Sequence, residues 1–155
     1  MKLKWRLVTI ALFVSFAYPI ENDTHSLTIK VEKLQNSKGV VQFVLYNKDG
    51  SIPDEKFKKY YQKQIGTIGK NNTAISIFEN LPSGRYAVNI LHDENKNGEI
   101  DKGFILPIEG VGFSNVNKLG LLNGPSFIKS SFELKTDSTL TVKIIYMVKK
   151  GKYNE

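Results

Sequence analysis

The 155-residue chain contains no cysteine. No disulfide can therefore stabilise the fold, and no thiolate is present to act as a nucleophile or as a ligand for a soft metal. A lipoprotein export signal needs a cysteine directly after its cleavage site, so we expect no lipid anchor of that kind. The chemistry of this protein must come from oxygen and nitrogen groups.

The sequence also lacks a concentrated basic region. Its formal net charge is +7, but Lys2, Lys4 and Arg6 belong to the N-terminal segment, and removing that segment leaves +4. Nucleic-acid binding requires basic side chains gathered on one surface or along one helix. The remaining lysines are interspersed with acids, so we expect no nucleic-acid partner.

No apolar run is long enough to cross a bilayer. Residues 7–18 form the longest one, about a dozen residues, whereas a membrane helix needs roughly 20. A basic start, this short apolar stretch and the small residues Ser15 and Ala17 are typical of a secretory signal peptide. We expect residues 1–17 to be removed on export, leaving a periplasmic or secreted protein without stable membrane insertion. An uncleaved membrane anchor is the alternative.

Most of the remaining sequence alternates between apolar and polar residues, as a β-strand does. Leu27, Ile29 and Val31 show the pattern first, and turn residues separate several later runs of the same kind. We predict that residues 26–148 form one all-β domain, a single antiparallel β-sandwich of about seven strands, with a small barrel as the competitor. Residues 149–155 read as a polar tail.

One segment has helical periodicity instead. Phe57, Tyr60 and Tyr61 recur at intervals of three and four within residues 53–65, and Pro53 suits the first turn of a helix. We predict the one short helix of the domain in this segment.

Residues 92–101, with the sequence HDENKNGEID, carry the most specific chemical signal. Their alternating oxygen-bearing side chains, followed by Gly98 and a later aspartate, match the spacing with which one loop surrounds a hard cation, most often calcium. The candidate ligands are the side chains of Asp93, Asn95, Asn97 and Asp101, the backbone carbonyl of Glu99, and the carboxylate of Glu109 reaching back from the following loop.

The loop predicts a weak site. Phe104 occupies the twelfth position, where a helix–loop–helix calcium site has its bidentate glutamate. Two aspartates bring two negative charges, and Lys96 and Lys102 oppose them, which places the dissociation constant at about 10⁻⁴ to 10⁻³ M. A metal-free turn held by its own aspartate and asparagine side chains is the alternative.

Four short motifs follow one another between residues 26 and 146. They are NSKG at 36–39, LPSGRYA at 81–87, HDENKNG at 92–98 and GFSN at 112–115. Their order resembles an exported bacterial family catalogued as domain of unknown function 2141. The resemblance implies an immunoglobulin-like or transthyretin-like sandwich and export past the inner membrane, and it implies no activity. Residues 124–127 depart from the family pattern, because they lack part of a longer proline-containing stretch.

The sequence contains parts of a hydrolase but no convincing arrangement of them. His92 adjoins Asp93, and Ser114 or Ser126 in the glycine-rich loop 109–127 offers a hydroxyl, yet no Gly-x-Ser-x-Gly motif presents a nucleophile. We therefore expect an exported, non-catalytic module with an unknown protein or glycan partner. The alternative is a periplasmic hydrolase, or a glycan- or peptide-binding protein, that uses His92 and the glycine-rich loop.

Three aromatic residues lie in or beside the glycine-rich loop. Phe104, Phe113 and Phe127 form either a recognition surface at one end of the sandwich or part of the core. Large apolar side chains are usually buried, which favours the core.

Overall fold

A computed structural model describes residues 23–120 and 124–148. The predicted signal peptide and polar tail lie outside the described residues. The described part contains eight strands in two packed sheets, which confirms the prediction of an all-β sandwich. The elements are β1 (Thr24–Glu32), β2 (Val40–Tyr46), β3 (Gln62–Gly66), β4 (Ala74–Pro82), β5 (Gly84–Asp93), β6 (Gly110–Phe113), α1 (Phe127–Ser130), β7 (Ser131–Leu134) and β8 (Ser138–Lys143).

The smaller sheet has the strand order β4-β1-β8, and the larger has the order β3-β2-β5, with β6 and β7 both paired to the free edge of β5. β6 pairs with the C-terminal half of β5, and β7 pairs with its N-terminal half. The pairings are antiparallel except for β1 with β8, which is parallel. No helix in the described ranges is long and apolar enough to span a bilayer.

The inner core lies between the two sheets. Leu27, Ile29 and Val31 of β1 are fully buried, and the residues between them are partly exposed, as the alternation predicts. Each large side chain buried in this way contributes about 1.5 to 3 kcal/mol relative to exposure. Across from β1, the inner core contains Phe43, Leu45, Val88 and Ile90 of the larger sheet.

The larger sheet is buried on its other face as well, so β2 and β5 are buried at almost every position. The segment between β2 and β3 and the segments between β5 and β7 cover this face. We call the apolar group beneath them the outer cluster. It consists of Val44, Tyr46, Ile52, Phe57, Ala87, Leu91, Val111, Phe113 and Phe127.

The predicted helix at residues 53–65 is wrong. The segment is irregular until β3 begins at Gln62, and the short helix of the described part is α1. Phe57 has a φ of 48°, a left-handed conformation that a right-handed helix does not contain, and its side chain enters the outer cluster. Tyr60 and Tyr61 are 43% and 40% exposed, so the aromatic residues do not share one buried face.

The glycine-rich stretch predicted as a loop contains β6. Gly110 and Gly112 face the chain at and after the end of β8, which approaches closely. A Cβ atom on Gly110 would lie 2.5 Å from the Tyr146 ring, and one on Gly112 would lie 2.7 Å from the Lys143 carbonyl oxygen. The glycines here permit close packing of a strand rather than an irregular loop.

Candidate functional site

The candidate metal loop begins at Asp93, the last residue of β5, and the chain continues through residues 94–109 into β6. Asp93 lies on the outer face of the larger sheet, because it is two residues after Leu91 in β5 and side chains two apart in a strand point to the same face. Gln42 of β2 lies on the same face, and its Nε2 atom donates to Asp93 Oδ2 at 2.7 Å. Strand pairing therefore anchors the start of the loop.

The Asp93 carboxylate also closes the loop on itself. Its Oδ1 atom accepts a hydrogen bond from the Asn97 backbone N–H at 3.1 Å, and its Oδ2 atom accepts one from the Gly98 N–H at 2.9 Å. Lys96 and Gly98 have φ values of 62° and 84°, which turn the backbone so that these N–H groups point inward. Gly98 therefore forms a sharp turn within the loop.

Asp101 accepts hydrogen bonds from both asparagine amides. Asn95 Nδ2 donates to Asp101 Oδ2 at 2.6 Å, and Asn97 Nδ2 donates to Asp101 Oδ1 at 2.8 Å. The amide oxygens meanwhile accept from the backbone: Asn95 Oδ1 from the Asn97 N–H at 3.0 Å, and Asn97 Oδ1 from the Glu99 N–H at 2.9 Å. The predicted ligand residues are thus brought together by hydrogen bonds among themselves.

Glu109 reaches back into this loop. Its Oε1 atom accepts from the Glu94 N–H at 2.9 Å and its Oε2 atom from the Asp101 N–H at 3.3 Å. Burial raises the pKa of Glu109, the two backbone N–H groups lower it, and repulsion from the Asp101 and Asp93 carboxylates raises it further. We call Asp93, Asp101 and Glu109 the carboxylate cluster.

Two lysines near the loop, Lys56 and Lys102, pair with carboxylates outside the cluster. Lys102 pairs with Glu55, and the Lys56 ammonium lies 3.8 Å from the Glu99 carboxylate. In residues 23–120 and 124–148, no lysine or arginine lies within ion-pair distance of the carboxylate cluster. Backbone and amide N–H groups rather than cationic side chains compensate these charges.

As it stands, the described part has no group of three or more histidine, aspartate or glutamate side chains arranged to hold a metal ion. The two asparagine amides turn nitrogen rather than oxygen toward Asp101. Cation binding therefore requires both side-chain amides to rotate so that Oδ1 replaces Nδ2 at this position, because calcium is bound by oxygen.

His92 lies outside the loop, on the inner face of β5, and is fully buried. Its Nε2 atom is 2.9 Å from the Lys38 carbonyl oxygen, and its Nδ1 atom is 2.7 Å from the Tyr146 hydroxyl. A carbonyl only accepts, so we assign the ring proton to Nε2, and Nδ1 accepts from the tyrosine. Neither nitrogen is left to act on a substrate.

The two serines considered as nucleophiles have structural roles. Ser114 is buried, accepts from the Val88 N–H at 2.9 Å and donates to the Ser130 carbonyl. Ser126 is the N-cap of α1 and accepts from the Lys129 N–H at 3.3 Å. The structure does not bring either serine to the ring nitrogens of His92.

The three aromatic residues divide between the two interpretations. Phe113 and Phe127 are buried in the outer cluster, which agrees with a core role. Phe104 is fully exposed in a turn closed by a hydrogen bond from the Gly103 N–H to the Leu106 carbonyl at 2.9 Å.

Two polar residues escaped the sequence reasoning, although each interrupts an apolar strand. Gln42 follows Val41 and precedes Phe43, and it anchors Asp93. Asn89 stands between Val88 and Ile90 and is buried on the outer face of β5. A polar side chain inside a strand buried on both faces is the signal that could have identified them, because such a group needs a specific partner.

Fold and site together define a class: a small β-sandwich domain with a hydrogen-bonded acidic loop between β5 and β6. The sequence model of one family, described as "Uncharacterized protein conserved in bacteria (DUF2141)", matches residues 29–143. The match covers most of the chain, so the chain belongs to this family, as the order of the four motifs predicted. No curated protein and no solved structure matches the chain.

Proposed function

We propose that this protein is an exported, non-catalytic β-sandwich module in which residues 93–101, together with Glu109, form a weak structural calcium site. The carboxylate cluster carries the proposal. Asp93 and Glu109 are only 1% and 3% exposed, and the described lysines and arginines do not pair with them. Calcium accepts the mixture of carboxylate, amide and backbone oxygens that this loop contains.

Repulsion within the cluster supports this assignment. Asp93 and Asp101 both raise the pKa of the partly desolvated Glu109 carboxyl, after the larger effect of burial. A bound cation would replace repulsion by attraction in surroundings where charges are poorly screened. The N–H donors already stabilise much of the negative charge that a cation would stabilise. The expected dissociation constant is therefore about 10⁻⁴ to 10⁻³ M.

The proposed role of the ion is to fix the segment between two strands. Asp93 ends β5, and Glu109 immediately precedes β6. An ion held by both would tie residues 94–109 to the larger sheet at both ends. Such a site stabilises a fold and does not act as a switch, because the loop is already closed by hydrogen bonds.

The non-catalytic part of the proposal rests on His92 and Ser114. Both are buried and hydrogen-bonded within the described structure. The export part rests on the signal-peptide pattern of residues 1–17. A protein or glycan outside the cytoplasm is the partner class that we propose, without a residue to which it is assigned.

The test uses protein recovered from the periplasm or medium after expression of the full chain, with intact mass reporting whether residues 1–17 have been removed. Melting is compared in chelator and in 10 mM calcium. For dissociation constants of 10⁻⁴ to 10⁻³ M, that concentration adds about 1.4 to 2.7 kcal/mol of stability. The melting temperature should then rise by roughly 4 to 10 °C.

Two variants of equal charge change distinguish a ligand from a general charge effect. Asp101→Asn should remove most of the calcium response. Glu99→Gln should retain it, because Glu99 contributes only its backbone carbonyl and its carboxylate pairs with Lys56. Identical melting of the unaltered protein in chelator and calcium would contradict the calcium site, and an unprocessed N-terminus would contradict export.

A further inference from the structure

A cavity of about 300 Å³ lies on the outer face of the larger sheet, beside the outer cluster. Its walls are formed by β6, by residues 53–55 and 100–107, by residues 119–120 and 124–125 before α1, and by Met147 after β8. Ile105 lines the cavity and is 59% exposed, so the cavity opens to solvent. The volume is at the lower end of the roughly 300 to 1,000 Å³ found for small-molecule sites. The apolar lining includes Ile100, Ile105, Leu106, Val111, Phe113 and Met147.

Asn89 lines the cavity from β5 and is 1% exposed. Neither its Nδ2 nor its Oδ1 atom has a hydrogen-bond partner. Burial and the Asp54 carboxylate raise the pKa of the neighbouring Tyr46, and the Asn89 amide opposes this, so these side chains lie near one another. The Tyr46 hydroxyl donates to Asp54 at 3.2 Å. It lies near the Asn89 amide, but neither amide atom makes a hydrogen bond of ordinary distance and angle to it. A buried amide in this state costs free energy unless a ligand completes it.

We propose that the cavity binds a small neutral molecule with an apolar body and one carboxamide group, and that the carboxamide pairs with Asn89. The Asn89 Nδ2 group donates to the carbonyl oxygen of the ligand, and Oδ1 accepts from its N–H. One group of the ligand thereby satisfies both unpartnered atoms, and the apolar body contacts the isoleucine, valine and phenylalanine lining. None of the proposed calcium ligands lines the cavity, although Ile100 and Lys102, which flank Asp101, do.

The charges around the cavity select against ionised ligands. Asp54, Glu55 and Lys102 all line it, and Lys102 pairs with Glu55. The Asp54 carboxylate pairs with no lysine or arginine of the described part. A ligand carboxylate would therefore meet a like charge. An ammonium would be attracted to Asp54, but it has no acceptor for the Asn89 Nδ2 group.

The probes are hexanamide, hexanoate and hexylammonium, which share a chain length and differ in the polar group. They are titrated into the ¹⁵N-labelled exported protein in chelator, so that the result does not depend on calcium. Hexanamide should shift the Asn89 side-chain NH₂ resonances saturably, and the two ions should bind at least tenfold more weakly. A hexanamide titration with no saturable shift, or hexanoate or hexylammonium binding as tightly, would overturn the proposal.

Three variants complete the test. Asn89→Leu should weaken hexanamide binding at least tenfold, whereas the same replacement at the exposed Asn117 should leave it unchanged. Ile105→Asp alters an exposed wall residue, so it should fold normally and also weaken binding at least fivefold. Binding by folded Ile105→Asp or Asn89→Leu protein that equals binding by the unaltered protein would place the ligand elsewhere and overturn the assignment.

Discussion

The Tyr146 hydroxyl lies 2.7 Å from the Nδ1 atom of His92, and this contact joins the chain after β8 to the larger sheet. The same hydroxyl accepts from the Gln35 N–H at 2.9 Å, and His92 Nε2 donates to the Lys38 carbonyl at 2.9 Å. The turn between β1 and β2 is therefore held at two points by a tyrosine and a histidine from distant parts of the chain. This arrangement makes the histidine a structural residue.

Tyr146→Phe should destabilise the domain by about 1 to 3 kcal/mol, because it leaves the buried Nδ1 atom of His92 without a donor. Urea unfolding measures the change. Tyr60→Phe removes a hydroxyl from a side chain that is 43% exposed and should change stability by less than about 0.5 kcal/mol. Equal effects of the two replacements would contradict the proposed role of the hydrogen bond.

The same tyrosine predicts a loss of stability in alkali. Burial raises the pKa of Tyr146 from 10.0 to about 12, although the Gln35 N–H opposes the shift and Glu94 adds to it. Because the folded state favours the neutral phenol, its contribution is complete below pH 10 and is lost as the pH rises toward 12. The difference in unfolding free energy between the unaltered protein and Tyr146→Phe should therefore shrink between pH 10 and pH 12. A constant difference would contradict the raised pKa.

Glu109 should titrate above the ordinary range of a glutamate, in a ¹³C NMR titration of its side-chain carboxyl carbon. Its pKa is raised from 4.5, first by burial and further by Asp101 and Asp93, against the backbone N–H groups. Its contribution to stability is therefore present below pH 4.5 and is lost as the pH rises through the folded-state pKa. Asp101→Asn should move this pKa part of the way down, and Glu99→Gln should leave it nearly unchanged. A Glu109 titration that is the same in both variants would show that Asp101 does not act on it.

Alanine substitutions at two glycines of similar backbone conformation distinguish the cost of left-handed backbone strain from the cost of a steric clash. Gly39 and Gly50 have φ values of 75° and 72°. A Cβ atom on Gly39 would lie 1.9 Å from the Asp93 carbonyl oxygen, whereas one on Gly50 would meet nothing within 4 Å. Gly50→Ala should cost about 1 to 2 kcal/mol, the price of a left-handed alanine. Gly39→Ala should cost at least about 3 kcal/mol, because displaced backbone adds to that amount. Equal losses of stability in denaturant would refute the close approach.

The alternation of apolar and polar residues predicts the strands whose two faces differ in burial. β1 alternates because only its inner face is buried, so its sequence shows its environment directly. Residues 53–65 have a period that suits a helix, but Phe57 packs in the outer cluster, most of whose other members come from β2, β5 and β6. The glycines of β6 predict a loop, but they are needed because Tyr146 and Lys143, some 30 residues later in the sequence, pack closely against them. Tertiary contacts decided both segments.

In the candidate site, too, the sequence predicts the contacts between neighbouring residues but not those between distant segments. Five of the six proposed ligands lie within nine residues, and their hydrogen bonds connect residues two to six positions apart, so spacing alone could suggest them. Gln42 reaches Asp93 across paired strands, a contact that depends on sheet register. The cavity that Asn89 lines is assembled from six separate segments of the chain. Sequence patterns do not predict this cavity, because the periodicity of one segment carries no information about which distant segments contact it.

The parallel pairing of β1 with β8 bears on how the chain folds. Leu27 pairs with Ser138, and Glu32 pairs with Lys143. The second edge of β1, the central strand of the smaller sheet, is therefore paired only after residues 138–143 have been synthesised. Domains dominated by such distant pairings fold in about milliseconds to seconds. A polypeptide that ends before Ser138 would leave one edge of β1 open to hydrogen bonding by another molecule. We therefore expect a polypeptide truncated before Ser138 to aggregate more readily than the full chain.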